Sequence, residues 1–195
     1  MSAPTANSIR STPWPGTRPE EPASLSLEGQ PVELPIIVGS EGEKAIDISR
    51  LRSGTGYITL DEGYVNTGST TSGITFLNGE KGVLRYRGYP IEDLAARCDF
   101  IEVAYLLIYG ELPTKNELAT FRHSLSNHSM IHEDMRSFYS GFPRDAHPMA
   151  IVGSVVGALS TFYQDSLDVR DPKQVEVSVH RLLAKLPTIA AYSYK

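Results

Sequence analysis

The chain has 195 residues, 41% of them hydrophobic and 21% charged, with a formal net charge of −5. That length can bury a core of its own, and the composition is that of a globular chain rather than a disordered one. The acidic balance and the scattering of Lys and Arg argue against nucleic acid as the main partner, because no basic run is present to track a phosphate backbone.

Residues 1–34 are predicted to be a flexible Pro-rich leader. Seven of the thirteen prolines fall in residues 1–35, and apart from Trp14 the segment offers little apolar surface to offset its ordering entropy. Met1 to Ser11 contain no apolar run of the kind a secretory signal needs. Residues 35–90 are predicted to form a small β-rich portion. Strands are expected at Pro35 to Val38 and at Ala45 to Ile48, with turns at Gly54-Thr55-Gly56 and Asn66-Thr67-Gly68-Ser69. A hairpin is expected from Ile74 to Leu77 and from Val83 to Tyr86, turning at Asn78-Gly79.

From residue 91 to 195 the period becomes helical. Pro90 suits a first helical turn. Val103, Leu106 and Leu107 share a face, and Gly110 with Pro113 stops that helix. Thr114 with Glu117 makes a capping box for a helix burying Leu118, Phe121 and Leu125. A helix is expected over Ile131 to Phe142, before Pro143. Asp145 is expected to cap the helix running through Met149 and Val156 to Tyr163. The apolar stretch Pro148 to Tyr163 is too short and too polar for a membrane span. After Asp171 and Pro172, Val175, Val179, Leu182, Leu183 and Leu186 form a helical stripe. Pro187 is expected to end or kink it, and Thr188 to Lys195 read as the start of another helix.

Few side chains invite chemistry. Cys98 is the single cysteine, so neither an intramolecular disulfide nor a cysteine-rich zinc site can form, which fits a reducing compartment. His128 and His132 are four apart, but Glu133 follows the second histidine, whereas a His-Glu-x-x-His metal helix has its glutamate after the first; a surface pair or a loop junction is preferred and no metal is assigned. His147 lies two residues after Asp145, and capping is preferred there over an acid–base pair. His123 and His180 fall on helical segments and read as partly exposed or satisfied by their neighbours. Gly79-Glu80-Lys81-Gly82 lacks the spacing of a phosphate loop and reads as a hairpin turn. Arg85 and Arg87 are expected on one face of a strand, as an exposed edge rather than an anion site. Gly153 and Gly157 would allow close approach of another helix.

Several segments together carry a family resemblance: Gly73-Ile74-Thr75-Phe76-Leu77-Asn78-Gly79, Leu84-Arg85-Tyr86-Arg87-Gly88-Tyr89-Pro90-Ile91, Tyr105 to Pro113, Met130-Ile131-His132-Glu133, Arg144-Asp145-Ala146-His147-Pro148-Met149 and Tyr163-Gln164-Asp165-Ser166-Leu167. In this order and spacing they resemble the amino-terminal part of bacterial citrate synthases, from about Tyr57 to Lys195. The resemblance implies a mainly α, citrate-synthase-like helical fold with a small β-rich N-terminal portion, here truncated, in which residues 91–195 begin a large helical domain. It implies a cytoplasmic homodimer or homohexamer of the tricarboxylic acid cycle, with no tightly bound cofactor and no nucleic-acid or membrane partner.

The implied reaction condenses acetyl-CoA with oxaloacetate and water to citrate and CoA. An aspartate removes the methyl proton and histidines stabilise the charges that develop. Those groups are expected beyond Lys195, so no catalytic residue is assigned and the 195-residue chain is expected to be inactive. The resemblance also implies an allosteric NADH site at His128, Met130, Tyr163, Arg181 and Lys185. This chain departs from it at Asn127, where such relatives carry arginine, and at Ser129, where they carry threonine. Ordinary helix contacts in an NADH-insensitive enzyme are the preferred account of these residues. Two further readings stay open: a 2-methylcitrate synthase using propionyl-CoA, and a non-catalytic helical binding module.

Overall fold

The computed structural model describes residues 21–194. Most of the predicted leader, Trp14 included, lies outside the described residues. The described residues divide into two compact units, one up to Thr71 and the other from Ser72 onward.

Among its described residues the first unit carries two antiparallel hairpins, one short α-helix and a single 3-10 turn at Glu62–Tyr64. Strands β1 (Ala23–Leu27) and β2 (Gln30–Leu34) pair with Leu27 opposite Gln30. Their tight turn places Glu28 at φ 50° and Gly29 at φ 81°, and glycine at the second position meets that demand without a steric cost. The end of the predicted leader is thus a β-hairpin: Leu25 and Val32 face each other across it, and Leu34 is buried. Proline content alone concealed a short alternating pattern. Strands β3 (Ile36–Val38) and β4 (Lys44–Ile46) overlap the two expected strands and pair antiparallel with each other. Helix α1 (Leu51–Thr55) buries Leu51 and ends at Gly56 in the left-handed region.

The second unit begins with the hairpin of β5 (Thr75–Asn78) and β6 (Val83–Tyr86), to which β7 (Tyr89–Pro90) adds a third strand. This sheet falls in the same compact unit as the helices. Arg87 is one reason. It sits past the end of β6 at φ 49°, and its guanidinium donates to the Leu107 carbonyl at 2.7 Å and to that of Gly73 at 3.4 Å. The expected shared face with Arg85 is lost, because strand alternation stops at Tyr86.

The helices are α2 (Ile91–Arg97), α3 (Phe100–Tyr109), α4 (Lys115–His128), α5 (Met135–Ser140), α6 (Pro148–Phe162) and α7 (Pro172–Tyr194). Pro90 is extended and precedes α2 instead of opening it. Asp99 and Thr114 each make a full capping box, with Glu102 and Glu117 as the reciprocal partners. Asp99 also receives Arg122 from α4, so one carboxylate caps α3 and ties it to α4. Gly110, at φ 96°, closes α3, a backbone state that glycine adopts freely. Phe121 is buried, while Leu118 and Leu125 are half-buried.

Three expectations fail here for identifiable reasons. The helix over Ile131 to Phe142 shrinks to α5, because His132, Glu133 and Asp134 form turns first. Asp145 does not cap α6; His147 does, its Nδ1 accepting the Met149 N–H at 3.2 Å. Helix α7 runs on through Pro187 to Tyr194. Its buried line is Lys185, Ile189 and Ser193, whereas Val175, Leu182 and Leu186 of the predicted stripe remain exposed. Met135, Val155, Leu159 and Ile189 form the core where α5, α6 and α7 meet. Among the described residues no other segment lies within 4 Å of where a Cβ on Gly153 or Gly157 would point, so the expected close approach is not made among them. Among the described residues no helix is long and apolar enough to cross a membrane.

Candidate functional site

The five residues singled out in the sequence converge where the end of α4 meets the end of α6 and the middle of α7. Lys185 is 3% exposed. Its ammonium donates to the His128 carbonyl at 2.8 Å and to the Met130 carbonyl, so a positive charge sits at the carbonyl-rich end of α4, where the helix dipole favours it. The same Nζ lies 4.7 Å from the centre of the Tyr163 ring. Arg181, one turn earlier on α7, also places its guanidinium 4.7 Å from that centre. One phenol ring is therefore shared by two cations, an arrangement the ring quadrupole stabilises.

Arg181 is tied further. Its two Nη groups donate to the Asp165 carboxylate at 2.6 and 2.8 Å, and one of them reaches Ser166 Oγ at 2.8 Å. This fork-to-carboxylate geometry is the strong form of the ion pair. It holds the Asp165 carboxyl below its usual range and keeps Arg181 protonated. His128 is pushed below the ordinary imidazole value, chiefly by burial and then by the charges of Arg181 and Lys185. Met130 is different: its carbonyl belongs to the cluster, but its side chain is 77% exposed.

The sequence reading missed the acceptors. Asp165 and Ser166 stand in the turn just after α6, and the useful signal was an acidic residue in that turn facing a basic residue one helix later. An apolar cavity of about 230 Å³ adjoins the cluster, lined by Val156, Leu159, Tyr163, Leu167, Arg181 and Leu182 among others. Chemically the arrangement holds two cations in place through carbonyls, a carboxylate and a ring. A phosphate taking the Nη1–Nη2 edge of Arg181 would compete with Asp165 for it.

The remaining candidates are dispersed. His132 lies beyond α4, packs its ring 5.2 Å from that of Phe162, and accepts the Asp134 N–H at 3.2 Å. It thus shares no helix face with His128. His147 is occupied as the α6 cap. Among the described residues no three His, Cys, Asp or Glu side chains gather in a way that could hold a metal ion.

A family model described as "Citrate synthase, C-terminal domain" matches residues 63–195. Citrate synthase 1 of Mycobacterium tuberculosis is 52% identical over 176 residues, covering 90% of this chain and 41% of that protein. The citrate synthase of Corynebacterium glutamicum is 49% identical over 173 residues, covering 89% of this chain and 40% of the relative. Among solved structures, citrate synthase from Thermotoga maritima superposes with a TM-score of 0.57 at 28% identity, over 70% of this chain and 34% of that one. A ternary complex of carboxymethyl coenzyme A and oxaloacetate with citrate synthase from Thermoplasma acidophilum gives a TM-score of 0.62 over 70% of this chain and 35% of the other; at 23% identity this is a likeness of fold. The chain spans about 41% of the length of the curated relatives it matches.

Proposed function

The chain belongs to the citrate synthase family, and on that premise we propose that it forms part of an enzyme that condenses acetyl-CoA with oxaloacetate and water, releasing citrate and CoA. The observation that carries this reading is the 52% identity sustained over 90% of the chain. In the reaction the acetyl methyl gives up a proton, its carbon bonds to the oxaloacetate carbonyl carbon, and water cleaves the thioester. A positioned base and a stabilised enolate oxygen are both required. The chain spans about 41% of the relative's length, so we place the catalytic groups outside these 195 residues and expect this stretch alone to be inactive.

The same reading makes the enzyme a cytoplasmic homodimer or homohexamer with no tightly bound cofactor. The subunit assembly draws support from exposed apolar side chains on α6 and α7, including Met149, Leu182, Leu186 and Tyr194, which suit burial by further protein. The cluster at Lys185 acts in this proposal as an internal brace and not as an NADH site. The double engagement of Arg181 by Asp165 supports that, since the guanidinium edge that a phosphate would need is already taken.

The test is CoA release by the full-length protein from acetyl-CoA plus oxaloacetate, repeated with propionyl-CoA and with added NADH. Saturable citrate formation with acetyl-CoA, much slower turnover of propionyl-CoA and no response to NADH are expected. Faster use of propionyl-CoA would reassign the enzyme to 2-methylcitrate synthesis, and NADH inhibition would restore the allosteric reading of the cluster.

A further inference from the structure

A second polar network, separate from the Lys185 brace, joins three helices through one imidazole. His180 on α7 meets Ser124 Oγ of α4 at 2.8 Å through Nδ1, and the Tyr109 hydroxyl of α3 at 2.9 Å through Nε2. The Tyr109 hydroxyl also reaches Glu176 Oε1 at 3.1 Å, one turn back on α7. The Phe121 ring of α4 stands nearly perpendicular to the imidazole, with centroids 5.1 Å apart.

The donors and acceptors admit one self-consistent order with a neutral ring. A carboxylate only accepts, so the Tyr109 O–H donates to Glu176. The Tyr109 oxygen then accepts from Nε2–H, which leaves Nδ1 bare to accept the Ser124 hydroxyl proton. Each proton is used once, and the chain Ser124, His180, Tyr109, Glu176 runs in a single direction across α4, α7 and α3. A second ring proton breaks this order. Nδ1–H would point at Ser124 Oγ, whose own proton must turn away, and a charge would sit in a half-buried site against Phe121.

We propose that His180 is a proton-sensitive latch: neutral, it fastens α7 to α3 and α4, and protonated it loosens that junction. Two charged groups act on it in opposite senses, Glu176 favouring the proton and His128, at the end of α4, opposing it. Burial opposes the proton most strongly and holds the ring below its ordinary value, while Tyr109 is kept as the neutral phenol by burial and Glu176. A histidine held low in the fold takes up its proton more readily when unfolded, so the latch is complete above about pH 6.5 and is lost as pH falls through the lower folded value.

The experiment is amide hydrogen exchange on the full chain, corrected for the intrinsic pH dependence of exchange, following peptides from α7 between about pH 7.5 and about pH 5. Protection over residues 172–186 should fall on acidification in the native protein and stay nearly level in His180→Gln, whose amide does not titrate. An equal fall in both, or no fall in the native protein, overturns the latch. Should His180→Gln fail to fold, Glu176→Gln serves: removing the charge that favours protonation must enlarge the acid-induced loss, and an unchanged acid response overturns the proposal.

Discussion

Replacing Lys185 by Met is the most informative single change at the brace. Methionine keeps a flexible apolar stem of similar length but has no donor. The carbonyls of His128 and Met130 would then lose the ammonium they share, in a position only 3% exposed, where water cannot readily replace it. A hydrogen bond from a charged donor is worth about 1.5–3 kcal/mol, and a buried unpaired carbonyl costs about 1–3 kcal/mol. Against this stands the relief of no longer burying a charge. Contact with the Tyr163 ring survives in weaker form, since sulfur also packs on aromatic faces. The balance is a loss of about 2–3 kcal/mol. With a urea dependence of about 2 kcal/mol per molar, the unfolding midpoint should fall by roughly 1 M. Far-UV circular dichroism in urea reads this directly on the full chain. An unchanged or raised midpoint would mean that Lys185 does not support α4 and would refute the brace.

Two further predictions probe the same region. Asp165→Asn removes the carboxylate that grips Arg181; because the folded Asp165 titrates below its unfolded value, its contribution is present above about pH 4 and lost as pH falls through the folded value, so the variant should show a flatter loss of stability in an acid titration followed by thermal unfolding. Ile189→Ala opens a void among Met135, Val155 and Leu159 and should cost about 2–5 kcal/mol in denaturant unfolding; a cost under about 1 kcal/mol would place the core elsewhere.

Local signals were the most legible. The capping box at Thr114, the β5–β6 hairpin and the stop at Gly110 all depend on neighbours within a few residues, and each stands where its pattern placed it. Features set by distant partners were not legible. Asp145 looks like a cap, but Pro148 fits the first turn of α6 with His147 just before it, which leaves Asp145 outside the helix. Pro187 looks like a break, yet α7 continues past it, where Ile189 is buried in the core and Thr188 Oγ1 donates to the Ser129 carbonyl at 3.0 Å. The apolar stripe of α7 suggested its buried face, while the face that is buried carries Lys185 and Ser193, polar residues whose partners lie on other segments or one turn back. The candidate site was found as five scattered positions; that Arg181 is already paired follows only from the placement of Asp165, sixteen residues away.

The most direct test of the account assays citrate formation from acetyl-CoA and oxaloacetate by the isolated 195-residue chain beside the protein purified whole from its native cell. The native protein should give equal yields of citrate and CoA, and the isolated chain no turnover at any concentration. Citrate formed by the 195-residue chain alone would contradict the account, because the reacting groups would then have to lie among the residues described here.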